Sequence, residues 1–433
     1  MSTSTPLQSD QSRNRLRIPG KTVYVLGTGF SKPMGIPVIT EFIPEGLRML
    51  KKRVGRDETC RKTLEEMQDV LDKYMPRLRA AEGEERDPTI EDVFCVVDLL
   101  GKSDGENCVD GESNDSRIVK NFLRRVCELT EKSVCCYDKA QADSDSFKCP
   151  RVDQVHLDSE GELDWGFLFD KASDGGGRDD TVCAYFAFLS QLLGTGMSRG
   201  KDKAKSPEWE LRAAVDGGAG PDKLADAIVS FNYDLLIERK MAQLYKNSSG
   251  TKARIYYGDG VVKDKAPGMD WLCKDTPAGN GLLLPLIKLH GSFNWRESVG
   301  GKTCVQVSEE PGTKAASLVW PTWIRENFSG VFDKLLLEAR THLRLASKVV
   351  FIGYSMPLTD RYIRYLLADA FATPELPEVI ICDYKKKEEE VRCAWERLLG
   401  TLAKRIKPTV ITDGFVEYVK RWKRPRMTDE DSQ

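Results

Sequence analysis

Hydrophobic and polar positions divide the chain into two textures. The first is strand followed by turn or helix. The apolar run Thr22–Leu26 (TVYVL) stops abruptly at Gly27-Thr28-Gly29, and a second turn follows at 33–37 (PMGIP). After residue 224 this texture returns several times. The runs at 226–231 (DAIVSF), 282–290 (LLLPLIKLH), 348–353 (KVVFIG) and 378–383 (EVIICD) each read as a strand buried on both faces, and 317–320 (SLVW) as a shorter one. A helix is predicted from Asp360 to Phe371. Uniformly apolar strands alternating with helices predict a Rossmann-like α/β fold around a doubly wound parallel sheet.

Helical periodicity dominates the second texture. Residues 40–100 read as helical, clearest at 89–100, where Thr89 and Asp92 stand at the spacing of a capping box. The stretch 101–117 has turn and loop composition. After it, Ile118, Phe122, Leu123, Val126 and Leu129 fall on one helical face. Polar, glycine-rich stretches at 138–163, 173–180 and 196–222 flank a short apolar helix at 183–193. The predicted organisation is therefore a mobile arm at 1–20 and a discontinuous Rossmann core at 21–44 and 225–416. A helical insertion with mobile loops fills 45–224, and a basic, then acidic tail follows at 417–433.

Composition narrows the class. Over 433 residues, 65 Lys and Arg face 67 Asp and Glu, so overall charge gives no reason to expect a nucleic-acid protein. No leader-like apolar segment opens the chain, and no apolar run is long enough to span a bilayer. No two of the 12 cysteines show the C-x-x-C spacing of a zinc site, so a reduced, cytoplasmic, metal-free protein is expected.

Candidate chemistry lies where the apolar strands stop, since an open parallel sheet binds ligands at its carboxyl edge. Those ends carry Gly27, Gly29 and Ser31; Asn232 and Asp234; His290; Gly353 and Ser355; and Asp383. Each also has a plain structural reading. Gly27 and Gly29 suit any tight turn, and Lys32 replaces the third glycine of the dehydrogenase fingerprint. Asn232 and Asp234 suit a helix cap. His290, one of three histidines, suits a buried structural role, and Gly353-Tyr354-Ser355 a strand-to-helix turn.

In this order GTGFS, IEDVF, SFNYDLL, KLHGSFNW and FIGYSMPLTDRYIRYLL resemble the SIR2-like (sirtuin) superfamily. The closest likeness is to its prokaryotic NAD-hydrolysing effectors of anti-phage defence. The resemblance implies that Gly27, Gly29 and Ser31 cradle the pyrophosphate of NAD, and that Asn232 and Asp234 face its nicotinamide end. It implies His290 beside the nicotinamide ribose, Gly353 and Ser355 on the adenosine side, and Asp383 at the adenine ribose. Deacylating sirtuins carry a four-cysteine zinc module and Asp-Phe-Arg after Gly-Ile-Pro; this chain has GIPVITEF instead, so water is the implied acceptor. His290, Asn232 and Asp234 are then the catalytic set, nicotinamide and ADP-ribose the products. A homo-oligomer and a separate sensor, ATPase or nucleic-acid-binding partner are also implied. NAD-dependent ADP-ribosyl transfer, deacylation, and NAD or ADP-ribose sensing without turnover remain the alternatives.

Overall fold

The computed structural model describes residues 17–82, 88–101, 113–139, 184–185, 188–189, 192, 226–247, 253–263, 282–297, 305–307, 318, 330–355, 361–384 and 387–422. The expected N-terminal arm up to residue 16, nearly all of the polar loop stretches, and the tail from 423 lie outside them. The tail does not begin at 417 as expected: Gly414–Trp422 is a helix whose Phe415, Tyr418 and Val419 are buried in the sheet's core.

Seven strands form one parallel sheet: β1 (Ile18–Leu26), β2 (Ala227–Ser230), β3 (Ala253–Tyr256), β5 (Leu282–Lys288), β8 (Ala346–Ile352), β9 (Glu378–Cys382) and β10 (Thr409–Ile411). Their spatial order is β10-β9-β8-β1-β2-β5-β3, and every neighbouring pair is parallel. Successive side chains of a strand point to opposite faces. Val349, Val350, Phe351 and Ile352 are all at most 1 % exposed, so both faces of β8 are covered. Strand β1 sits at the centre. The chain builds outward from it through β2, then crosses back to place β8 on its other side. This reversal is the switch point at which such sheets bind ligands. The expected Rossmann-like fold is therefore observed.

Local detail departs from the sequence reading in several places. Strand β1 starts at Ile18 rather than Thr22, with a register shift between these two residues. Strands β3 and β10 extend the sheet at its two edges, and neither stands out as an apolar run. A small second sheet, β4 (Val261–Lys263), β7 (Val305–Val307) and β6 (Trp295–Glu297), was also not foreseen. Strands of three or four residues carry too few positions to show a period. Of the expected strand at 317–320, only Leu318 is described, in an isolated bridge to Gly291.

The helical region packs as its own apolar cluster. Helices Phe42–Lys51, Glu58–Glu82, Ile90–Gly101 and Asn114–Lys139 bury Leu50, Met67, Tyr74, Phe94, Phe122 and Val126 against one another. The last helix starts within the stretch read as loop, because the Ser113 hydroxyl accepts the Ser116 N–H at 3.2 Å and caps it. The expected capping box is formed: Thr89 N–H donates to Asp92 Oδ2 at 2.7 Å, and Asp92 N–H to Thr89 Oγ1 at 3.3 Å. One part of the predicted insertion belongs elsewhere. Ala184, Tyr185, Phe188, Leu189 and Leu192 join the sheet's core, with Phe30 packed between the rings of Tyr185, Phe188 and Phe415. Among the described residues no helix is long and apolar enough to cross a membrane.

At the amino ends of β1 and β8 Arg17 ties strand to helix ends. Its guanidinium donates to the carbonyls of Glu375 (2.7 Å), Ala346 (2.6 Å), Leu343 and Ala370 (both 3.3 Å), and to Thr373 Oγ1. A cation here also suits the negative ends of helices Gly330–Leu345 and Arg361–Phe371.

Candidate functional site

The carboxyl ends of β1 and β8 meet at unusually close range. A Cβ on Gly27 would lie 2.5 Å from the carbonyl oxygen of Gly353, and one on Gly29 2.6 Å from Gly353 Cα. Gly353 itself has φ +59°, and a Cβ there would sit 2.3 Å from Gly29 C and Phe30 N. No side chain fits at any of the three positions. The contact is sealed by Gly27 N–H to Ile352 O (3.0 Å) and Gly29 N–H to Gly353 O (2.9 Å). The two glycine N–H groups are thus given to β8 and its turn, which is what brings the two loops together.

Beneath this junction lies a buried polar network. Asn232 Nδ2 donates to Gly27 O at 3.0 Å and to Ser31 Oγ at 3.1 Å; Ser31 Oγ donates to Asp234 Oδ2 at 2.8 Å. Asp234 Oδ1 accepts the Leu236 N–H at 3.0 Å and so caps helix Leu236–Asn247. Burial pushes the Asp234 carboxyl above its ordinary range, and the nearby Lys288 charge opposes that shift. Lys288 is itself buried and donates to Asp234 O (2.6 Å), Glu238 Oε1 (2.8 Å) and Ser292 Oγ (2.8 Å). Tyr257 completes the cluster through Glu238 Oε1 at 2.9 Å. Phe30, Ser230, Asn232, Asp234, Glu238 and Lys288 wall a cavity with room for about one water. Asn232 Oδ1 is buried without a hydrogen-bond partner among the described residues, a costly arrangement unless a water or ligand meets it.

Above the network a narrow cleft opens between the sheet and the helical region. Gly27, Thr28, Phe231, Tyr233, His290, Tyr354 and Ser355 line it from the strand ends; Ile39, Phe42, Ile90, Glu91 and Leu123 line it from the helical side. Aromatic rings run along its floor. Tyr354 stacks on Phe231 at 4.6 Å, and His290 lies between Phe231 (5.1 Å) and Tyr233 (5.9 Å, near-parallel).

The sequence candidates thus fall into three groups. Gly27, His290 and Ser355 line the cleft, and Gly29 and Gly353 close the junction of β1 with the β8 turn beside it. Ser31, Asn232 and Asp234 lie beneath it, Ser31 with no exposure at all. Asp383 stands at the end of β9, one strand further out, where its Oδ1 accepts the Tyr384 N–H; it does not line the cleft. Thr28, Phe231, Tyr233, Tyr354 and Glu91 were not singled out from sequence. The first four flank marked residues directly and were legible to that extent; Glu91 lies in the quoted IEDVF stretch, but nothing in the sequence placed that helix beside the strand ends. Among the described residues no group of three or more His, Cys, Asp or Glu could hold a metal ion.

Fold and cleft together define a Rossmann-like α/β protein with a crevice at its switch point. Beyond that class, the sequence matches no protein-family model and no curated protein.

Proposed function

We propose that this chain is an NAD⁺ glycohydrolase of the SIR2-like kind, cleaving NAD⁺ to nicotinamide and ADP-ribose. One observation carries the reading: His290 lines a cleft at the switch point together with Gly27, Thr28, Tyr354 and Ser355, and Asn232 is fixed directly below them. The nicotinamide leaving group is cationic before it departs and so needs no acid. The reaction needs a rigidly placed ribose and a base for water. His290 is that base, histidine being the side chain most often used for such proton transfer. Asn232 positions the water or ribose through Oδ1, which has no hydrogen-bond partner among the described residues. Asp234 acts from beneath, holding Ser31 and the start of helix Leu236–Asn247 in place.

Unchecked NAD⁺ loss is harmful to any cell, so the activity is a triggered one, as in anti-phage defence effectors. The helical region that covers the cleft is the natural place for a trigger to act, through oligomerisation or a separate sensor protein. The test is nicotinamide release from NAD⁺ by the purified chain, alone and with the product of the neighbouring gene. Both His290→Ala and Asn232→Ala should lower the rate by at least about 100-fold. Retention of wild-type activity by both would place the chemistry elsewhere. NAD⁺ loss that depends on an added protein acceptor would instead indicate transfer or deacylation. Binding without turnover, even with the neighbouring gene product present, would indicate a sensor.

A further inference from the structure

The helical region supplies a charged side chain that the reaction above has not used. Glu91 lies in the first turn of helix Ile90–Gly101 and is 8 % exposed; it lines the cleft opposite the strand ends. It is not the residue that caps this helix, since Asp92 makes the reciprocal bonds with Thr89. The capping box instead fixes the helix start, and with it the place of Glu91. The same cleft is lined by Phe231, Tyr233, Tyr354 and His290. An acidic side chain and aromatic rings around one cleft suit a flat organic cation, which gains from ring quadrupole and charge together.

Resting on the NAD⁺ reading, we infer that Glu91 is a second catalytic residue, and that the cleft takes the cationic nicotinamide–ribose end of the substrate. As the bond from C1′ to the pyridinium nitrogen breaks, its electron pair leaves with nicotinamide, which becomes neutral. The positive charge passes to C1′ and its ring oxygen. Water oxygen then bonds to C1′ while its proton passes to His290. Glu91 holds the positive charge through this transfer, a contact that strengthens as the charge concentrates on the ribose. Catalysis therefore requires the helical region to be seated on the sheet, because only that region carries the carboxylate.

Two measurements on the full chain test this. Glu91→Gln should lower kcat for NAD⁺ by about 100-fold, with ADP-ribose affinity unchanged, since the product lacks the cation. Glu91→Gln activity within threefold of wild type would overturn the assignment. The second measurement needs no turnover: binding of 1-methylnicotinamide cation against neutral nicotinamide by calorimetry. Wild type should prefer the cation at least about tenfold; Glu91→Asp should keep the preference and Glu91→Gln lose it. Should Glu91→Gln fail to fold, Glu91→Ala is read in the same way. A Glu91-dependent cation preference without NAD⁺ hydrolysis would sink the hydrolase reading and leave the cation site standing. No cation preference in wild type would overturn the inference, whatever the hydrolysis assay gives.

Discussion

At the scale of single residues, the glycines matter for what they exclude. Gly27-Thr28-Gly29 and Gly353 are each legible in the sequence as turns, but their pairing is not, because the two loops meet only once β8 lies beside β1. Gly353→Ala would force a Cβ into backbone 2.3 Å away at a left-handed φ. We expect it to cost at least about 2–4 kcal/mol, or to prevent folding, as read by the midpoint of chemical denaturation. Gly20, which also has a positive φ but nothing within 4 Å of a built Cβ, should tolerate alanine far better in the same assay. His290 and Asn232 were both legible as strand-end residues. Their difference in role was not, since only the packed structure sets one against the cleft and the other below it.

At the scale of elements, the lysine in the run LLLPLIKLH binds two parts of the site. Lys288 joins the end of β5 to the Asn232–Asp234 loop, to helix Leu236–Asn247 through Glu238, and to the His290 loop through Ser292. Its side chain and that of Glu238 are 2 % and 4 % exposed, so neither charge has water to fall back on. Lys288→Met should therefore destabilise the protein by about 3–5 kcal/mol by leaving the buried Glu238 without its cation. Lys288→Met with Glu238→Leu should recover much of that loss, in line with replacement of a buried pair by apolar groups. A double-mutant cycle in guanidinium chloride reads both effects, and a purely additive result would refute the coupling. The sequence shows a lone lysine in an apolar run; its partners lie on another element and were invisible.

At the scale of the whole molecule, the lower edge of the sheet makes stability depend on pH. Burial, helped by the neighbouring charge of Lys21, lowers the His342 pKa to about 4. The unfolded chain takes up this proton near pH 6.5, well before the folded protein does. Stability from this group is thus full above about 6.5 and is lost as pH falls toward about 4. His342→Leu should remove this contribution, so that wild type loses up to roughly 3 kcal/mol relative to the variant between pH 7 and 4. Equal pH profiles for the two proteins would show that His342 is already charged when folded. The sequence by itself determined the class of fold and the chemistry of the strand ends. Apolar runs report two-sided burial directly, and binding residues in an open parallel sheet stand where those runs stop. Only the tertiary structure decided which strand ends share a cleft, that residues 184–192 pack with the sheet rather than with the other helices, and that Glu91 faces the site. Each of those depends on contacts between segments far apart in the chain, and local periodicity carries no record of them.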